Sequence, residues 1–307
     1  MTSVAPTSLP SALYKYVGIE GLLRILDGSI RFTQPSAFND PFELLPEIIV
    51  PNDAPERQIS VSFDILAARR AMPDSELEAI PEGCRSNDAM SRDIVQQLNQ
   101  LVGVLSLSRA RDSLLMWSHY ADQYAGAVVE FDGSHDFFAG QIDVDYRPTR
   151  PRRHIDAYLT GAPIPVAELC AKSDQWACEQ EVRIVRALAD CQPTGHVLRS
   201  FPIFVQPIPA GAIKSMILGE RTPVAEQRKI YARLMETDIS LSLAAVDHSG
   251  FAFREEIIKM AVPYSKVGPW MSPRTAHIFS DLKSPRGDVA RWLVEHHAMS
   301  KLVNRTV

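Results

Sequence analysis

The sequence predicts an α+β fold, and three observations carry that expectation. Short apolar or alternating runs at 13–16, 30–33, 102–107, 127–131 and 181–185 read as strands. Amphipathic periods at 19–26, 113–121 and 224–235 read as helices. Asp247-His248-Ser249-Gly250 is a turn signature between runs 240–246 and 251–258, a closing pair of strands.

The elements follow in order. Residues 1–11 form a Ser/Pro/Thr-rich tail expected to be mobile. In 19–26 the apolar positions Ile19, Leu22, Leu23, Ile25 and Leu26 share a helical face, and Gly28 suits the position just past the helix end. Asn39 and Asp40 before Pro41 favour a compact turn. Segment 51–100 has helical character broken by Pro55, Pro73, Pro81 and Gly83, and reads as a helical insert within a domain spanning 12–260. Residues 147–154 read as a basic loop. A strand ends near 218, and 288–303 reads as a terminal helix. The extension 261–307 holds seven Lys or Arg against three Asp or Glu, and so is basic.

Composition bounds the function. The 307 residues are 46% hydrophobic and 22% charged, ordinary globular values for one large domain or two modest ones. With 32 Lys plus Arg against 37 Asp plus Glu, the net charge of −5 argues against a general nucleic-acid coat but leaves room for a local basic patch. The first ten residues carry no leader pattern, and no apolar run approaches the roughly 20 residues of a membrane span, so a cytoplasmic protein is expected. Cys84, Cys170, Cys178 and Cys191 form no C-x-x-C pair and read as reduced thiols. The glycine fingerprints of dinucleotide and P-loop sites, the hydrolase elbow and the zincin motif are all missing, and no metal site is expected.

Four clusters hold candidate chemistry. In Tyr14-Lys15-Tyr16 the two phenols share one strand face and Lys15 takes the other, which suits either a half-buried strand or a planar ring beside an anion. The polar side chains of Asn39-Asp40-Pro41-Phe42-Glu43 either cap a turn or line a pocket rim. Trp117-Ser118-His119-Tyr120 places four hydrogen-bonding groups on one helical turn; they either form one polar network or face a ligand. In Trp176 to Arg183, Glu179 and Glu181 fall on one side if a strand begins at Glu181, and Lys172 or Arg183 can hold one carboxylate while the other rises in pKa. That pair is either a structural Glu–Arg set or a group that offsets charge on an oxocarbenium-like transition state. Arg147, Arg150, Arg152 and Arg153 either form a solvated loop or contact nucleic-acid phosphates.

In this order the clusters resemble a prokaryotic domain-of-unknown-function family, number 2971, over roughly 12–260. The matching pieces are Leu13 to Tyr16, Ile30 to Pro35 with Phe38 to Glu43, Leu114 to Ala121, Gly126 to Phe131, Lys172 with Trp176 and Glu179 to Ile184, and Ile213 to Gly219. The opening strand, helix and second strand with a late E-x-E strand also resemble the ADP-ribosyltransferase plan, in particular the DNA-modifying DarT-type toxins. That resemblance implies a split mixed sheet with surrounding helices that clamps NAD as substrate. It implies catalytic roles for Glu181, Glu179 and His119, and cofactor contacts from Tyr14, Lys15, Tyr16, Asn39, Asp40, Trp117 and Tyr120. It also implies a nucleic-acid or protein acceptor, with Arg147, Arg150, Arg152 and Arg153 on nucleic acid, and a toxin or antiphage role. Those enzymes usually place His or Arg on the first strand, where this chain has Tyr14-Lys15-Tyr16. The alternative expectation is a non-catalytic nucleotide-binding or sensor module in a defence system. A hydrolase using His119 with acidic partners is a third reading, without metal-ligand spacing to support it.

Overall fold

A computed structural model describes residues 12–55, 60–66, 76–159 and 162–302. The expected tail 1–11 and parts of the expected insert, 56–59 and 67–75, lie outside the described residues. The chain is mixed α and β, as the sequence predicts, and it divides into two compact units.

The first unit draws on Met1–Ser29, Ser108–Phe137 and Ile208–Val307. Its strands lie in the order Phe253–Lys259, Ser240–Val246, Ile213–Leu218, Ala127–Asp132, Ala12–Val17. Only Ile213–Leu218 and Ser240–Val246 are parallel among these, and helix Val224–Leu234 makes the crossover that parallel strands require. Period-two alternation sends Tyr16, Val128, Ile217 and Ala244 to one face, where the short helix Leu114–Tyr120 covers them with Met116 and Trp117. Tyr16 meets Trp117 edge-on at 5.7 Å. Gly126 is fixed by close approach: an added Cβ would stand 2.2 Å from the Val17 carbonyl oxygen. The basic extension is part of this unit's body. Arg228 donates to the His277 carbonyl, Phe279 packs edge-on against Tyr231, and Arg274 pairs with Glu220.

The second unit draws on Ile30–Leu107 and Phe138–Pro207. Strand Glu181–Ala187 lies between Val102–Ser108 and Ile142–Asp143. Four smaller pairings complete the unit: Glu47–Pro51 between Arg152–His154 and Cys84–Ser86, Ala171–Ser173 beside Asp145–Arg147, Ile164–Pro165 beside Phe63–Asp64, and hairpin Gln192–Leu198/Phe201–Pro207. Helix Asp88–Leu101 starts at Asn87, whose side chain accepts from the Met90 amide. It buries Met90, Ile94 and Leu98 against Ile48, Val50 and Val104.

Two expectations are corrected here. The 51–100 segment is helical only over Asp88–Leu101 among its described residues, because 84–86 is drawn out to pair with Glu47–Pro51. The 147–154 stretch is a loop only in its middle; its ends belong to strands Asp145–Arg147 and Arg152–His154.

The Tyr16 hydroxyl donates to the Arg111 carbonyl at 2.7 Å, lies 3.0 Å from the Ala110 carbonyl and accepts from the Ser113 amide at 3.1 Å. It therefore pins the loop that launches helix Leu114–Tyr120. Tyr16→Phe is expected to cost about 1–3 kcal/mol, since buried backbone groups lose their partner. Urea unfolding of the variant against wild type measures it.

Candidate functional site

The densest polar chemistry lies in the second unit, where five buried charges meet. Arg183 and Glu181 are two apart on strand Glu181–Ala187 and so share a face. Arg183 Nε donates to Glu181 Oε1 at 2.8 Å, and its Nη2 donates to Glu181 Oε2 at 3.0 Å and to Glu43 Oε2 at 2.5 Å. Lys172, on strand Ala171–Ser173, donates to Glu179 Oε2 at 2.7 Å and to Glu181 Oε2 at 3.3 Å. Its ammonium also stands 3.3 Å from Glu43 Oε1 and 5.1 Å from the Trp176 ring centre. Arg183 is fully buried and the other four side chains are no more than 5% exposed. The Glu181 amide donates to the Tyr146 hydroxyl at 2.7 Å, which fixes the start of the strand.

Two left-handed residues make this convergence possible. Gln180, at φ 44°, separates the 3-10 turn Asp174–Glu179 from strand Glu181–Ala187. Glu179 and Glu181 therefore do not share one strand, yet both reach Lys172. Leu44, at φ 50° and wholly buried, reverses the chain just after Glu43. The turn before it is held by Asp40, whose carboxylate accepts from the Phe42 amide at 2.9 Å.

The electrostatics follow from burial and pairing. Burial disfavours the charged Glu181, but Arg183 and then Lys172 outweigh it and hold the carboxyl down at about 2. Burial lowers the Lys172 pKa, and Glu181, Glu43 and Glu179 together reverse this and raise it. At Glu43 burial wins over Arg183 and Lys172, and its carboxyl is raised. Burial pushes the Tyr146 phenol up to about 12 and the Cys170 thiol up to about 11, so neither is a ready nucleophile.

Two cavities border the network. One of about 210 Å³ is lined by Phe42, Arg147, Thr149, Arg150, Lys172 and Ser173 among others. The other, of about 290 Å³, includes Asn39, Asp40 and Glu43 in its wall. Of the four basic candidates, Arg147 pairs with Glu76 at 2.6 Å and Arg152 with Glu47 at 2.8 Å. Arg153 is buried against Glu168 and so is not presented to a nucleic-acid backbone. Arg150 makes no ion pair or hydrogen bond among the described residues.

The remaining candidates belong to the first unit. Tyr16 is buried and committed to the 110–113 loop, and Trp117 is buried beneath it. Tyr14 is half-buried opposite Glu130, its partner on the neighbouring strand. Lys15 and Tyr120 are half-buried, and His119 is exposed. The structure thus gathers Glu179 and Glu181 with Lys172, Arg183 and Glu43, and sets Asn39 and Asp40 at the adjoining cavity. The sequence motif gives Glu43 a place in a turn or on a pocket rim and not in a charge network. Its signal was there: an acidic residue in a Pro-containing turn flanked by apolar Phe42 and Leu44. Among the described residues, no group of three or more His, Cys, Asp or Glu could hold a metal ion, and no helix is long and apolar enough to cross a membrane.

Lys172→Met leaves three buried carboxylates with Arg183 alone, and a loss of about 3–5 kcal/mol is expected at neutral pH. The sign with pH is fixed. Glu181 is held below its ordinary 4.5, so its contribution is present above that value and is lost as pH falls toward about 2. Glu43 is raised, so its contribution is lost as pH rises through its folded value. Removing Lys172 takes away a charge that lowers Glu181 and Glu43, so both move upward, and the variant's deficit should shrink as pH is lowered from about 8 to about 5. Thermal melts of both proteins across that range check it.

Compared with protein-family models, curated proteins and solved structures, the chain matches none of them.

Proposed function

We propose that this chain is a nucleotide-binding module that grips its ligand by phosphate and does not transform it. The observation that carries the reading is the cavity of about 210 Å³ with Arg147, Arg150 and Lys172 in its wall. Three cations and the hydroxyls of Thr149 and Ser173 around one concavity suit a phosphate or pyrophosphate. The ring of Phe42 in the same wall is 58% exposed and offers a stacking face for a base. Arg150, whose charge reaches the Glu47 carboxylate but which makes no close ion pair or hydrogen bond among the described residues, can meet an anion without breaking one. NAD and ADP-ribose belong to this ligand class through their pyrophosphate.

Transfer of ADP-ribose through Glu181 has less support. A carboxylate that stabilises a sugar cation must turn negative charge toward it. Both Glu181 oxygens are instead occupied by Arg183 and Lys172. Glu179 is held by the same lysine. A binding reading uses Arg150 directly, with Lys172 adding positive charge from within its network, whereas a transfer reading requires the network to open first.

The test pairs binding with turnover. Pyrophosphate, ADP-ribose and NAD should each raise the melting temperature with the logarithm of their concentration. Arg150→Gln should weaken binding about tenfold, the worth of one charge-assisted contact, and leave the ligand-free melting temperature unchanged. NAD should be recovered intact. Absence of any stabilisation refutes the binding reading. Nicotinamide release that stops in Glu181→Gln replaces it with the transferase.

A further inference from the structure

The second cavity carries an inference of its own, beyond the phosphate reading. It has a volume of about 290 Å³, and its wall includes Phe38, Asp40, Glu43, Leu45, Val95 and Gln96. Two carboxylates in that wall are themselves buried: Asp40 is 7% exposed and Glu43 is 3% exposed. Asp40 spends one oxygen on the Phe42 amide. Glu43 Oε2 accepts from Arg183, but its Oε1 accepts no hydrogen bond. Lys172 Nζ lies 3.3 Å from that oxygen, an ion-pair distance without hydrogen-bond alignment, because the ammonium is directed to Glu179 and Glu181. Arg92 also lines the cavity but is exposed and paired with Asp88 at 2.7 Å.

Charge counting gives the same answer independently. Glu43, Glu179 and Glu181 pair with the two cations Lys172 and Arg183, so within this group of five the carboxylates outnumber the cations by one. Such a deficit in a buried site is met by a proton or by an incoming cation. Burial raises the Glu43 carboxyl, which favours its protonated form relative to an exposed glutamate. Beside the polar Ser36, Asn39, Arg92 and Gln96, the wall presents an apolar face of Pro35, Phe38, Leu45 and Val95, which suits a carbon body better than a hydrated inorganic ion.

We propose that this cavity binds a small organic monocation, a primary ammonium or guanidinium on an apolar body, with its head group against Glu43 and Asp40. The head group offers donors to the Glu43 oxygen that accepts no hydrogen bond and adds positive charge beside Glu43 and Asp40. The body lies along Phe38, Leu45 and Val95. Binding expels the Glu43 proton, so affinity rises with pH until the free protein has lost that proton. The charged groups facing Glu43 come from each packed element: Arg183 and Glu181 on strand Glu181–Ala187, Lys172 on Ala171–Ser173, Glu179 at the end of the 3-10 turn, Asp40 on its own turn and Arg92 on helix Asp88–Leu101. Of these, Lys172 and Arg183 remain charged throughout the tested range.

Calorimetric titration of the full chain with benzylammonium tests the proposal, with benzyl alcohol as the neutral isostere. The titrations run from about pH 5 to about pH 8 in buffers of different ionisation enthalpy. Saturable one-to-one binding is expected, with proton release at the lower pH and an affinity that climbs with pH. Benzyl alcohol should bind at least about tenfold more weakly. Glu43→Gln, which keeps an acceptor for Arg183, should lose about tenfold in affinity and flatten the pH dependence. Gln96→Trp plugs the cavity from an exposed helix position and should abolish binding with the melting temperature unchanged; it decides the matter if Glu43→Gln fails to fold. Equal binding of the alcohol, a pH-independent affinity, retained binding in Gln96→Trp, or no saturation with benzylammonium overturns the proposal. Nucleotide binding at the Arg150 cavity is unaffected by any of these outcomes.

Discussion

The second unit depends on the pairing of Arg183 with Glu181 and Glu43. Arg183 is fully buried, and a guanidinium cannot shed its proton to escape a low-dielectric site. It must be surrounded by acceptors, and the fold delivers them from two separate stretches. Glu181 comes from the same strand and Glu43 from a turn 140 positions earlier, while Lys172 on strand Ala171–Ser173 pairs with both of these glutamates. Such a pairing adds little net stability over an apolar core, because desolvation offsets most of the attraction. Its effect is on specificity: an Arg183 out of register would be a bare buried charge. The register of strand Glu181–Ala187 is set in this way, helped by Tyr146, which takes the Glu181 amide hydrogen.

The backbone accommodates this demand at two places. Leu44 and Gln180 both adopt left-handed conformations without being glycine, at a cost of order 1–3 kcal/mol each. Each stands next to a network carboxylate, Leu44 after Glu43 and Gln180 between Glu179 and Glu181. Strain placed beside charge has a common physical reading. The chain reverses so that the acidic side chain turns inward while its neighbour fills the core or meets solvent, as buried Leu44 and exposed Gln180 do.

Period and turn chemistry were legible in the sequence wherever one element sufficed. The helix over 19–26, the strand at 127–131 and the 247–250 turn stand where their patterns place them. Asp247 closes its turn by accepting from the amides of Ser249 and Gly250. The hairpin at 192–207 left no such signal. Its reversal uses Arg199 and Ser200 at φ 49° and 72°, where an Asn-Gly pair would have announced it. At the site, the sequence named Glu179, Glu181, Lys172 and Arg183 as one group, since they lie within a dozen positions. It could not say that Glu43 closes the set, because nothing local links a turn at 43 to a strand at 183. The basic stretch misled for a related reason. Arg147, Arg152 and Arg153 look like one patch in sequence, but Glu76, Glu47 and Glu168 draw each into a different local pair.

The same network decides between chemistry and recognition. For Glu181 to face a reacting sugar, it must leave Arg183 or share it with a new anion. Breaking a buried pair leaves an uncompensated charge, at a cost of about 3–5 kcal/mol. A substrate could supply that only by bringing its own negative groups to Arg183, which is fully buried and lines neither cavity. Lys172 and Glu43 are different: each reaches a cavity wall while holding the network on its other side. The residues open to a ligand are therefore those at the edges of the charge cluster, one cationic and one acidic. The central pair, Glu181 with Arg183, serves to hold both edges in place.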